Sequence, residues 1–191
     1  MLRIETKRLI LREYCHDDWQ QIHEYCRDPQ VTQFMIWGPN TEEQTKDFIA
    51  RVIAEQGDEP RKAFELAVQL KETGRVIGGI GLRITDDELT TAALGYCYNR
   101  SAWGKGYGTE AVAAMLRFGF ETLKLHRMWA TCDPENIGSA VCMRKNGMVQ
   151  EAHFRKDQRV KGVWRDTLVH AILEEEWRQL ANRIEANIQA V

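Results

Sequence analysis

Three glycines alternate in the run Trp103-Gly104-Lys105-Gly106-Tyr107-Gly108-Thr109-Glu110, just ahead of an amphipathic pattern carried by Val112, Met115, Leu116 and Phe120. Glycine lets a backbone approach a ligand closely, and the first N–H groups of a helix have no partner within it. The run therefore reads as a cradle for an anion such as a phosphate. Spacing separates the known cradles. A magnesium-binding P-loop needs Ser or Thr after its lysine, but Gly106 follows Lys105. A dinucleotide fingerprint leaves its strand at once and ends on Gly or Ala, but residues 99–102 intervene here and Thr109 holds the last position.

Other reactive residue types are scattered. Cys15, Cys26, Cys97, Cys132 and Cys142 show no C-x-x-C spacing and no thiol-enzyme signature, which predicts reduced thiols and no metal site. His126, His153 and His170 have no partner motif and are treated as ordinary.

The elements that must position the cradle follow from periodicity. A strand is expected over residues 3–12, then a helix from Trp19, capped by Asp17 or Asp18 and stopped at Asp28-Pro29. A second helix should start at a Thr41 cap. Strands over 64–70, 76–84 and 92–98 are short-linked and predict an antiparallel meander. Glycine run, helix 109–122 and strand 128–132 then form a crossover unit, which places two strands parallel. A helix over 137–146 should end on Gly147 in the left-handed region. Two last strands flank a Lys161-Gly162 turn, and from about residue 173 Trp177, Leu180, Ile184 and Ile188 share one helix face. The fold class is thus mixed α/β: a largely antiparallel sheet flanked by helices, in one domain over residues 1–191.

With 26 basic and 28 acidic residues among 191, the net charge is -2, and nothing global suggests nucleic-acid binding. No apolar run approaches the ~18 residues of a membrane span, so no membrane partner and a cytoplasmic location are expected.

Residues 98–148 resemble the acetyl-CoA-binding core of the GCN5-related N-acetyltransferase (GNAT) superfamily, whose loop motif is Q/R-x-x-G-x-G/A. The chain is most similar to the branch that acetylates ribosomal-protein N-termini, because TKRLILRE, a helix start near DDW, WGKGYGTEA and DPENIGSAVCMRKNGM all occur in order. The resemblance implies acetyl-CoA as cofactor, with the pyrophosphate on the backbone of Gly104, Lys105, Gly106, Tyr107, Gly108 and Thr109. It implies the pantetheine arm along Tyr96, Cys97 and Tyr98, where one N–H polarises the thioester carbonyl. Asn136 matches a position bonding the pantetheine or amine side. Ser139 either serves that site or caps the helix, and Lys145 either meets a CoA phosphate or faces solvent. Trp103 replaces the Gln or Arg that opens the motif, and Met143 stands where many members carry a tyrosine acid, leaving Ser139 or water for that role. Asp157, near where relatives carry a catalytic carboxylate, is the first choice of base, and Glu65 the second.

The resemblance implies direct transfer to a primary amine: a peptide N-terminus, with polyamines or aminoglycosides as the alternative, or acyl-CoA binding without turnover. Acceptor choice is expected in residues 34–39 and 155–165, with Phe34, Trp37 and Trp164 as pocket aromatics. The last helix either closes the domain or forms a homodimer seam.

Overall fold

The computed structural model describes the backbone of residues 2–189 and the side chains of residues 2–182. Its elements run β1 (Arg3–Glu5), β2 (Leu9–Glu13), α1 (Trp19–Cys26), α2 (Glu42–Glu55), β3 (Ala63–Leu70), β4 (Val76–Ile84), β5 (Thr91–Tyr98), α3 (Tyr107–Arg117), β6 (Arg127–Cys132), α4 (Ile137–Lys145), β7 (Val149–Val160), β8 (Val163–Leu173) and α5 (Glu174–Gln189). The strands form one sheet in the order β1-β2-β3-β4-β5-β6-β8-β7. The meander β3-β4-β5 is antiparallel, and the α3 crossover makes β5 and β6 a parallel pair.

Alternation along the strands divides the core in two. Leu66, Ile80 and Leu82 pack with Met115 and Leu116 of α3 on one face. Tyr14 and Ala67 pack with Ile22, Tyr25, Ile49 and Val52 of α1 and α2 on the other.

Several local expectations are corrected. The single strand over residues 3–12 is a hairpin, β1 and β2. Thr6 turns the chain: its Oγ1 accepts from the Leu9 amide at 2.9 Å and donates to Glu110 Oε1 at 2.6 Å. Asp18 precedes α1 but does not cap it. Its carboxylate accepts instead from the Cys15 amide at 2.9 Å and the Arg12 guanidinium at 2.7 Å. The helix expected over 109–122 begins at Tyr107, and residues 118–122 continue it as a wide π turn. Gly119 allows the tight seating there, since a Cβ would lie 2.4 Å from Met128 Sδ.

Thr41 does cap α2, its Oγ1 accepting from the Gln44 amide while Gln44 Oε1 accepts from the Thr41 amide. Gly147 is left-handed at φ +79°, and Lys161-Gly162 forms the β7–β8 turn. In α5, Trp177 packs on Phe120 with ring centroids 5.4 Å apart, and Leu180 lies against Gly147, so these two residues face the domain. Ile184 and Ile188 lie outside the described side chains. Among the described residues no helix is long and apolar enough to cross a membrane.

Candidate active site

β5 and β6 pair only from Thr91↔Arg127 to Ala93↔Trp129, then separate. The Asn99 amide bonds the Ile77 carbonyl, on the β4 side. By alternation the backbone groups of Tyr98 and Tyr96 face the other way, into the opening. Of these, the Tyr98 carbonyl accepts from the Trp103 indole at 2.9 Å. Trp103 is thus tied to β5 rather than aimed at a phosphate.

Beyond β5 the chain reverses through Gly104 (φ +71°) and Gly106 (φ +78°), both in the left-handed region that favours glycine. The first helical bond of α3 runs from the Glu110 amide to the Gly106 carbonyl, so the amides of Tyr107, Gly108 and Thr109 remain free at the positive end of the helix. Gly108 lets this end approach β5, since a Cβ would meet the Tyr98 ring at 3.3 Å.

The loop is braced from the β1–β2 turn. Glu110 accepts from the Arg8 amide at 2.7 Å and Arg8 Nε at 2.6 Å, while the Arg8 guanidinium donates to the Lys105 carbonyl at 2.9 Å and lies 4.5 Å from the Tyr107 ring centre. Burial works against the Glu110 charge, but bonds from Thr6 and Arg8 more than offset it and hold its carboxyl below the ordinary range. The sequence segments TKRLILRE and WGKGYGTEA therefore meet in space, a link that their separation in the chain does not reveal.

A cleft of about 830 Å³ lies in the opening, lined by Tyr96, Cys97, Tyr98, Trp103, Gly104, Gly106, Tyr107, Gly108, Thr109, Asn136, Ser139 and Lys145. Of the residues expected to hold the cofactor, Lys105 alone is absent from its wall. Asn136 Oδ1 accepts from the Ser139 amide at 3.2 Å, so Asn136, not Ser139, caps α4. That frees the Ser139 hydroxyl, which sits 2.9 Å from the Tyr96 hydroxyl. Lys145 is exposed at the cleft edge, consistent with either role. Met143 is fully buried, so that position offers no acid to the cleft.

A second cavity of about 1040 Å³ lies on the α1–α2 side of the sheet and shares Met35 and residues 94–97 with the first. Tyr14, Tyr25, Trp37, Phe48, Glu65 and Arg83 are among its walls. Two β4 glycines make room in it. A Cβ on Gly79 would fall 2.1 Å from the Tyr14 hydroxyl oxygen, and one on Gly81 would fall 2.0 Å from Glu65 Oε2. Phe34 lines the first cleft, with the Arg165 guanidinium 5.6 Å from its ring centre. Lys161 donates to the Thr32 carbonyl at 2.6 Å, joining the β7–β8 turn to the α1–α2 loop.

Asp157 is exposed on β7 and lines neither cavity, because the hairpin carries it outward; Trp164, 58% exposed, also lies outside both. His153 has a partner after all, Asp166 at 2.7 Å, but the pair lies away from both cavities. His170 is wholly buried, and desolvation lowers its pKa. Desolvation pushes the Cys26 thiol up to about 12 and Cys132 up to about 11, and raises Cys97 and Cys142 too, so neither cavity offers a ready thiolate.

Residues 8–149 match a family profile described as an acetyltransferase (GNAT) domain. The chain belongs to the GNAT acetyltransferases. The transferase is 39% identical over 176 residues to the "Uncharacterized N-acetyltransferase YnaD" of Bacillus subtilis (strain 168), covering 92% of this chain and 99% of the relative. It is 23% identical over 182 residues to the "[Ribosomal protein uS5]-alanine N-acetyltransferase" of Escherichia coli (strain K12), covering 92% and 93%. A crystal structure of a GNAT-family acetyltransferase from Bacillus anthracis superposes with a TM-score of 0.82 at 34% identity, covering 91% of this chain and 99% of that one. GNAT enzymes use acetyl-CoA. The cradle fits such a donor: free first-turn amides, left-handed glycines, and open space where a Cβ on Gly104 would stand.

Proposed function

We propose that the transferase moves the acetyl group of acetyl-CoA directly to the α-amine of a polypeptide N-terminus. The observation that carries this reading is the meeting of two cavities along residues 94–97, one with an anion cradle and the other open to a second substrate. The amides of Gly104, Lys105, Gly106, Tyr107, Gly108 and Thr109 hold the pyrophosphate. Tyr96, Cys97 and Tyr98 hold the pantetheine, and a free N–H of Tyr96 or Tyr98 faces the thioester oxygen. The Asn136 side-chain N–H₂ remains available after capping, and Lys145 reaches the cleft edge. Acetyl-CoA supplies the activated acyl group; the protein supplies position and proton transfer.

The acceptor side favours a peptide over a polyamine. Arg51 and Arg83 stand in its wall beside Asp47, Glu55 and Glu65, a mixed lining rather than an acidic one, and Gln44, Asp47 and Arg51 form an exposed rim. The relative named for alanine acetylation of ribosomal protein uS5 supports the same class of acceptor. Five free cysteines fit a cytoplasmic setting. For departure of the CoA sulfur, the Tyr96–Ser139 hydroxyl pair supplies a proton donor from β5 in place of the tyrosine missing at Met143.

The test is thiol release from acetyl-CoA with a peptide beginning in alanine, spermidine or kanamycin. Release with the peptide alone is expected. Release only with spermidine or kanamycin moves the acceptor to small amines, and acetyl-CoA binding without any release removes the peptide reading.

A further inference from the structure

A primary ammonium has no lone pair for attack, so transfer needs a group that takes its proton beside the acetyl carbonyl. Among the carboxylates on the acceptor side, Glu55 is ion-paired to Arg51 at 3.0 Å and Arg83 at 3.1 Å, and Asp47 lies on the exposed rim. Asp157 borders neither cavity.

Glu65 differs from all three. It sits mid-β3 with its side chain on the α1–α2 face, and the register aligns Glu65 with Gly81 and Gly81 with Gly95. Glycine at both positions clears the path from this carboxylate to the splayed strand. Its oxygens occupy the space where a Gly81 side chain would stand, 2.0 and 2.6 Å from that Cβ position, and no atom lies within 4 Å of the equivalent point on Gly95. Adjacent strands run ~4.8 Å apart, so the carboxylate over β4 is about one amine's reach from the β5 backbone.

We infer that Glu65 is the catalytic base, its carboxylate taking a proton from the acceptor ammonium in the gap above Gly81 and Gly95. The inference rests on acetyl transfer to an amine, but not on which amine. An N–H bond breaks and a carboxyl O–H forms. The freed nitrogen pair then makes the C–N bond to the acetyl carbon, and the C–S bond breaks with its electrons on sulfur. The second nitrogen proton reaches the sulfur through solvent or the Tyr96 hydroxyl, and Glu65 returns its own to solvent. The sum is ammonium plus acetyl-CoA giving amide, CoA thiol and one proton.

The charged and titratable groups sharing this cavity with the carboxylate are Arg51, Glu55 and Asp47 of α2, Arg83 of β4, Tyr14 after β2, Tyr25 and Cys26 of α1, and Cys97 of β5. Burial raises the Glu65 pKa, Arg83 and Arg51 pull it down, Glu55 adds to the rise, and the net lies above the ordinary range. A base works unprotonated, so kcat/KM falls as the pH drops through this raised value.

The experiment compares wild type, Glu65→Gln and Gly81→Ala for acetyl-CoA affinity by calorimetry, thermal unfolding, and kcat/KM against pH with the alanine peptide, spermidine and kanamycin. Glu65→Gln is expected to bind acetyl-CoA within about twofold of wild type, yet lose about 100-fold or more in kcat/KM and the acidic limb of the profile. Gly81→Ala, whose methyl displaces only the end of a flexible side chain, should fold, bind acetyl-CoA and lose about tenfold. A Glu65→Gln enzyme with the wild-type profile overturns the assignment, as does one that loses acetyl-CoA binding in step with turnover. Should wild type use none of the three amines, the acceptor reading fails alone. Glu65 is then decided by ¹³C-carboxyl titration against Glu65→Gln: a midpoint above the ~4.3 of free glutamate supports the base, and one at or below it overturns it.

Discussion

The two cavities that meet at β5 are built from different materials. The cleft proposed for the donor rests mainly on main chain, namely amides at the start of α3, left-handed Gly104 and Gly106, and strand edges left unpaired when β5 and β6 part, with Asn136, Ser139 and Lys145 completing its wall. The cavity proposed for the acceptor is made of side chains from separate elements, Tyr14, Tyr25, Trp37, Phe48, Glu65 and Arg83, spaced by the absent side chains of Gly79 and Gly81. Backbone geometry admits few substitutions. A wall of side chains can be rewritten one residue at a time, which explains how one donor site serves many acceptors.

The sharpest break of this contrast is Gly106→Glu. It forces a left-handed residue to carry a side chain and puts a negative charge where an anion belongs. Acetyl-CoA affinity by calorimetry should fall on the order of 1,000-fold, while the acceptor wall is untouched.

Asp18→Asn strikes the start of α1, a helix whose Tyr25 and Cys26 line the second cavity. Burial raises the Asp18 carboxyl, but Arg12 and the Cys15 amide outweigh it and hold the folded pKa low. Its contribution is therefore present above the unfolded value of ~3.9 and lost as pH falls through the folded one. Urea titration at pH 7 should show a loss of about 3 kcal/mol, as for a broken buried ion pair, and the gap from wild type should shrink below about pH 4.

Glu110→Gln tests whether a side chain is needed to brace the main-chain cradle. It weakens the bonds to Thr6 and Arg8, and KM for acetyl-CoA should rise about tenfold with kcat little changed. Ser139→Ala removes the partner of the Tyr96 hydroxyl, and kcat should fall about fivefold with acetyl-CoA affinity retained. The smallest effect is expected of Asp157→Asn, exposed on β7 and bordering neither cavity: steady-state rates should stay within about twofold of wild type.

Periodicity found the meander, the crossover and the Gly147 and Lys161-Gly162 turns, because each is written in neighbouring residues. It missed the β1–β2 hairpin, since Thr6 and Arg8 turn around Glu110, 104 and 102 residues away. It leaves open whether Ser139 caps α4 or serves the cleft, and the structure gives the cap to Asn136, a recognised cap type three residues earlier. The Asp166 partner of His153 was hidden for the same reason as the hairpin, being fixed by strand pairing and not by a local motif.

What the sequence determined by itself is the glycine turn and the helix start of the cradle. Glycine spacing and a helix start specify local backbone conformation, and local conformation specifies where amides point. What only the tertiary structure decided is which carboxylate lies beside β5. Whether Asp157 or Glu65 stands near β5 depends on strand register and on what a neighbouring strand lacks. Gly81 admits the Glu65 carboxylate, while the β7–β8 hairpin carries Asp157 outward. A carboxylate does not report in its own sequence neighbourhood which side chains will be missing beside it once the sheet has formed.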